Sequence, residues 1–206
     1  MALAVTLVNH QRAGWNEVIN VSTFTATSTS FNVASGDLLV VMMSVIGAST
    51  TPFPNVPVSS GAGPSWTGSL IESINPAAVY NGSSGIWAVQ ASGAATGITV
   101  SLTCNSVSGA GDQAIYLFSL YKVTGFDTGT PIGGKEVTQL GAGNGAVTIT
   151  MDAAPATGDV TLAQCLVDEN TTSKISTFGA GTWTTSADGT ASGKLLAYNS
   201  GYRTAP

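Results

Sequence analysis

The sequence predicts an all-β protein, an antiparallel β-sandwich of jelly-roll or Greek-key type, on three observations. Charged residues are only 8% of the chain while hydrophobic residues are 43%; ordinary soluble domains carry roughly a quarter charged residues. Long amphipathic helices draw their wet faces from Glu, Lys and Arg, and this chain has few to offer. The second observation is Leu38-Leu39-Val40-Val41-Met42-Met43-Ser44-Val45, which follows Ser35-Gly36-Asp37 and runs apolar without polar alternation. That is the pattern of a strand shielded on both faces. The third is a second copy of the device, Gly158-Asp159 leading into Val160-Thr161-Leu162-Ala163-Gln164-Cys165-Leu166-Val167.

In chain order, Met1–Asn9 predicts a first strand; it lacks the basic start and continuous apolar stretch of a signal peptide. His10–Asn16 reads as a loop, Glu17–Phe24 as a β-branched strand, and Thr29–Val33 as a short strand entering the Gly36-Asp37 turn. Residues 51–64 contain Pro52, Pro54, Pro57 and Pro64 and cannot form an interior strand, so they predict a long loop of the kind that carries function. Strand resumes over Ser65–Ile71, and Asn81-Gly82 predicts a hairpin turn before Gly85–Gln90. Gly97–Thr103 alternates, with Ile98, Val100 and Leu102 inward, and Asp112–Val123 reads as a long core strand. Beyond it, Asn144-Gly145 turns into Ala146–Met151, and Asp188-Gly189 predicts a turn before Gly193–Tyr198. Trp66, Trp87 and Trp183 fall in predicted strands and are expected in the core.

The chain reads as one sandwich domain, residues 1–206, divisible into halves 1–130 and 131–206. Gly36 to Gly158 spans 122 residues, Gly61 to Gly179 spans 118, and Trp66 to Trp183 spans 117. Near-equal spacings predict a degenerate internal duplication. Strands 97–103 and 112–123 have no counterpart in the second half, which predicts an unpaired strand edge covered by another subunit or protein; the alternative is that the first half's extra strands close the sandwich within the chain.

Six basic residues against eleven acidic ones give a net charge of −5, and Arg12, Lys122, Lys135, Lys174, Lys194 and Arg203 are scattered singly. No cationic stripe exists to neutralise phosphates, so no nucleic-acid partner is expected. No apolar run approaches the ~20 residues of a membrane-spanning helix, and no membrane partner is expected either. Cys104 and Cys165 read as two buried thiols acting as small hydrophobes in preference to a disulfide. His10 is the only histidine and no Cys-x-x-Cys occurs, so no metal or other cofactor is expected. The chain also lacks the Gly-x-Ser-x-Gly elbow of a hydrolase. The acids Asp37, Asp127, Asp159 and Asp188 stand where turns need them, and Asp168-Glu169-Asn170 reads as a solvated loop. The four Gly-Ala-Gly stretches, at 61–63, 109–111, 141–143 and 179–181, read as turns. No catalytic residue is assigned. The candidate contact residues are Trp15, Arg12, Phe53, Tyr202 and Arg203.

An uncharged, extracellular-type surface on a chain without an export signal suits a virus particle, which assembles in the cytoplasm and works outside the cell. Gly36–Val41, Ser65-Trp66-Thr67, Gly85–Val89, Gly97–Leu102, Leu120–Asp127 and Thr130-Pro131-Ile132, in that order, resemble the β-sandwich proteins found among virion structural genes of tailed bacteriophages and in some bacterial surface proteins. The resemblance implies no catalytic residues. It implies a non-enzymatic virion structural protein, a capsid decoration or tail-associated subunit that adheres to other virion proteins. Such a protein would be a homo-oligomer, a trimer by preference, assembled in the host cytoplasm and exposed extracellularly. The alternative is a carbohydrate- or receptor-binding module that uses the 51–64 loop and Trp15 against a host glycan.

Overall fold

The computed structural model describes residues 3–19, 23–47, 53–74, 82–105, 113–129, 131–135, 155–168, 183–191 and 196–204. In chain order the strands are β1 (Ala4–Ile19), β2 (Thr23–Thr27), β3 (Phe31–Val33), β4 (Leu38–Gly47), β5 (Phe53–Pro54), β6 (Val58–Ser59) and β7 (Leu70–Ile74). They continue as β8 (Gly82–Gln90), β9 (Ala95–Ile98), β10 (Val100–Asn105), β11 (Gln113–Thr124), β12 (Val160–Asp168), β13 (Thr184–Ala191) and β14 (Leu196–Thr204). Every regular element among the described residues is a strand and every ladder is antiparallel. The all-β sandwich class expected from the sequence is what forms.

A first sheet has the order β1-β11-β4-β8-β7, and a second has β2-β10-β5 with β6 also on β10. β12-β14-β13 make a third sheet, and β3 pairs β9. The first sheet is the middle layer, with β4 at its centre. Leu39, Val41, Met43 and Val45 point to one side, where they pack with Trp87, Phe118 and Leu120 against Ala26, Val100, Leu102 and Cys104 of the second sheet. Leu38, Val40 and Met42 point to the other side and cluster with Tyr121, Val123, Leu7 and, from the third sheet, Leu162. Unbroken apolar sequence in β4 is thus the signature of a strand with a hydrophobic layer on each face. Gln164 adds the polar link between layers, donating to Ser44 Oγ at 3.2 Å and to the Leu117 carbonyl at 3.1 Å.

The two Gly-Asp devices are one turn built twice. In Ala34–Asp37 the Asp37 N–H donates to the Ala34 carbonyl at 3.2 Å, and the Asp37 carboxylate accepts from the Ala34 N–H at 2.9 Å. In Ala156–Asp159 the corresponding distances are 3.0 and 2.8 Å. Gly36 and Gly158 hold the third position at φ 92° and 88°, the left-handed value that a type II turn demands there.

The three strands of the third sheet follow the connectivity of three in the first. β4 pairs β8 and β8 pairs β7; β12 pairs β14 and β14 pairs β13. Each edge hairpin carries a single register shift, between Leu70 and Glu72 opposite Trp87 and Ile86, and between Thr185 and Ala187 opposite Gly201 and Ser200.

Several local expectations are corrected. β1 runs through the predicted 10–16 loop, because β11 offers a ladder as far as Ile19; the irregular sequence is absorbed as shifts after Leu7 and after Ala13. Trp66 is buried but stands in a turn, with Ser69 N–H donating to its carbonyl at 3.1 Å, so strand begins only at Leu70. Trp183 precedes β13 and is half-buried, not core. Gly82 opens β8 opposite Ile46, and Asn81, the other half of the predicted turn, lies outside the described residues. Asp188 and Gly189 lie inside β13, opposite Asn199 and Tyr198, where a full ladder overrides turn propensity. Residues Val160–Leu166 of β12 are half-buried, because an outer layer has one face on the core. The predicted strand 146–151, Glu169, Asn170 and the Gly-Ala-Gly stretches at 109–111, 141–143 and 179–181 lie outside the described residues.

Candidate functional site

The second sheet turns one face to the core and the other to solvent. Along β10, Val100, Leu102 and Cys104 are buried while Ser101, Thr103 and Asn105 point outward; along β2, Thr23, Thr25 and Thr27 are exposed and Ala26 is buried. Cross-strand partners share a face. Accordingly Thr25 Oγ1 and Thr103 Oγ1 lie 2.8 Å apart, and Thr27 Oγ1 and Ser101 Oγ lie 2.9 Å apart. Asn105 Nδ2 continues the row, donating to Asn55 Oδ1 at 3.2 Å.

The proline loop borders this row and is held to it. Asn55 N–H donates to the Thr103 carbonyl at 2.8 Å, Ser60 N–H to the Thr99 carbonyl at 2.9 Å, and Thr99 N–H to Ser60 Oγ at 2.8 Å. Trp66 Nε1 donates to Ser59 Oγ at 2.8 Å, which ties the loop's far end down. Pro54 and Pro57 are buried, whereas Val56 and Val58 are 50% and 64% exposed. β5 and β6 are two residues each and form the sheet's edge, as the prolines require. The result is a surface of hydroxyls and amides with an apolar border, which can hydrogen-bond and exclude water.

The five predicted contact residues fall on three strands, β1, β5 and β14. Arg12 is exposed on β1 opposite Leu117, and Trp15 lies in the shifted part of β1 between Ala13 and Val18. Phe53 stands opposite Asn105, at the border of the hydroxyl row. Tyr202 and Arg203 are half-buried on β14, and the Arg203 guanidinium sits 5.2 Å from the centroid of the Trp183 ring, in the range of a cation–π contact. The hydroxyl row itself was missed in the sequence. Its signal was there as two polar runs of period two, Thr23-x-Thr25-x-Thr27 and Ser101-x-Thr103-x-Asn105.

His10 lies opposite Ser119, whose hydroxyl is fully buried, beyond the reach of a substrate. Burial, and then the neighbouring Arg12, lower the imidazole pKa. Cys104 and Cys165 are free, as expected; Cys104 Sγ is 3.9 Å from Met43 Sδ in the core, while Cys165 belongs to the third sheet across the first. Burial pushes both thiols up. Among the described residues no group of three or more His, Cys, Asp or Glu is placed to hold a metal ion, and no helix is long and apolar enough to cross a membrane. A groove of about 280 Å³ lies between Leu70, Ile71, Ile132, Gly133 and Lys135, where Lys135 Nζ reaches the Ile71 carbonyl at 3.3 Å and Glu72 at 3.7 Å. Compared with protein-family models, curated proteins and solved structures, the chain matches none.

Proposed function

We propose that this chain is a non-enzymatic structural protein of a bacteriophage particle, a capsid decoration or tail-associated subunit that works by adhesion between subunits. The observation that carries the assignment is strand order. The chain alternates between facing sheets, β1 to β2, β4 to β5, β8 to β10 and back to β11, giving β1-β11-β4-β8-β7 against β2-β10-β5. We read that alternation as jelly-roll-like, and the reading is supported by the use of that architecture in viral capsid and lectin domains. Within this assignment β12-β14-β13 is a degenerate copy of β4-β8-β7, supported by the shared turn, strand order and hairpin shift. The charge-poor surface suits lateral contact, because few charges must be stripped of water when copies meet. The protein would assemble in the host cytoplasm as a homo-oligomer, a trimer by preference, beside other virion proteins. The test is cosedimentation of the protein with purified virions at a fixed stoichiometry. Recovery only in the particle-free fraction overturns the assignment.

The hydroxyl row and its apolar border favour a second function, binding of an uncharged host glycan, since sugars offer hydroxyls that both donate and accept. A glycan array separates the two. Saturable binding lost on Thr25→Val and Thr103→Val would support the glycan module.

A further inference from the structure

We propose that the β12-β14-β13 layer is exchangeable, docking either on its own chain or on the first sheet of a second copy, so that subunits are joined by swapping it. The inference rests on the adhesive role proposed above and says how adhesion would be made. Three observations support it.

The first is how the layer is attached. Among the described residues the third sheet shares no backbone ladder with the other sheets. Its described links to the first sheet are side-chain contacts, with Leu162 on the Val40–Met42–Tyr121 cluster and Gln164 on Ser44 and Leu117. A layer held by side chains can leave and re-dock without breaking a strand pair.

The second is reach. Phe126 and Ile132 pack on the first sheet's outer cluster and Lys135 bonds to Ile71, so the chain is tied to the first unit that far. Residues 136–155 then precede the second Gly-Asp turn. Twenty residues can bridge at most about 70 Å, so chain length alone does not confine the layer to its own first sheet.

The third is self-complementarity. Leu38, Val40 and Met42 follow the first Gly-Asp turn, and Val160, Leu162 and Gln164 follow the second at the same positions. Leu162 and Gln164 dock on that same face of the first sheet, in contact with the Val40 and Met42 cluster and with Ser44. Matched faces of two copies of one unit therefore meet. A neighbour's layer would meet the same residues, so exchange keeps the described contacts and is favoured by local concentration, which a particle makes high.

The experiment traps the interface covalently in the full-length chain. Cys104→Ala and Cys165→Ser clear the background. Ser44→Cys and Gln164→Cys are then placed in one chain as a control, and in separate chains for the test. The separate chains are mixed, concentrated together through a partial-unfolding step, returned to native buffer and oxidised. A disulfide-linked dimer in the mixture, absent from either variant alone and increasing with protein concentration, is the expected result. An intrachain disulfide in the double variant with no dimer in the mixture overturns the exchange. As a measurement that needs no new cysteine, native mass spectrometry of mixed light and heavy isotope-labelled wild-type protein should show mixed oligomers after the same treatment. If the protein still joins virions while neither experiment shows exchange, the swap fails and the virion assignment stands; if it never joins virions, the assignment itself fails.

Discussion

The Gln11 side-chain amide pairs with both backbone polar groups of Thr27. Its Oε1 accepts from the Thr27 N–H at 3.2 Å and its Nε2 donates to the Thr27 carbonyl. Gln11 belongs to β1, the edge of the first sheet, and Thr27 to β2, the edge of the second. The amide thus acts as a surrogate strand that closes one side of the sandwich and occupies an edge position that another chain could pair. Replacing it by Leu should cost about 1 kcal/mol, the net worth of such bonds at a site where water can substitute. Gln11→Glu keeps an acceptor but sets a carboxylate against the Thr27 carbonyl, and should cost at least as much above pH 5. Chemical denaturation gives the energies, and amide exchange at Thr27 should quicken in both variants. Unchanged exchange would mean that the clamp does not protect the edge.

Gly85 is required by Trp87. The two residues share a face of β8, and a Cβ on Gly85 would collide with the Trp87 indole, which is almost fully buried against the core. Gly85→Ala should therefore destabilise by about 1–3 kcal/mol through overpacking, with a shifted tryptophan emission. Gly93, with nothing within 4 Å of a built Cβ, is the control. Gly93→Ala should leave the melting temperature nearly unchanged, and equal effects at the two sites would refute the packing argument.

Which parts of this were legible in the sequence depends on how local the cause is. β4 was legible because a strand with an apolar layer on each side needs no polar residue, and the inward Ile98, Val100 and Leu102 because period two is a property of the strand itself. The Gly-Asp turns were legible because a positive φ at Gly36 and Gly158 selects the residue. Trp66, in contrast, is buried from a turn, and Asp188-Gly189 pairs within a strand; in both, neighbours remote in sequence decide. The same holds for the candidate site. Thr25 and Thr103 are 78 residues apart, and nothing in either run says that the other will lie beside it.

The paired turns give a graded prediction. Asp37 is buried, caps Ala34 and lies 3.8 Å from Lys122 Nζ, whereas the Asp159 turn is exposed. Asp37→Ala removes a buried carboxylate that accepts from the Ala34 N–H and faces Lys122, and should cost about 1–3 kcal/mol; Asp159→Ala should cost about 1 kcal/mol or less. Urea midpoints of the two variants test the order. Equal losses would show that burial, not the shared hydrogen bond, had been misjudged.

His10 supplies a pH dependence that a single substitution isolates, since it is the chain's only histidine. Burial first, and Arg12 second, hold its folded pKa below the 6.5 of a free imidazole. Above that value both folded and unfolded chains carry it neutral, and it contributes no pH dependence. As pH falls through 6.5 the unfolded chain takes up a proton that the folded chain refuses, so stability declines with falling pH until the lower folded pKa is reached. Carboxylates begin to titrate near the bottom of this range, so the quantity to measure is the stability of wild type minus that of His10→Gln. That difference should be flat from pH 8 to pH 7 and shrink from pH 6.5 to pH 5. Arg12→Gln removes the smaller cause and should soften the decline without abolishing it. A difference that stays flat down to pH 5 would mean that the imidazole titrates alike in both states, and so that β1 does not shield it.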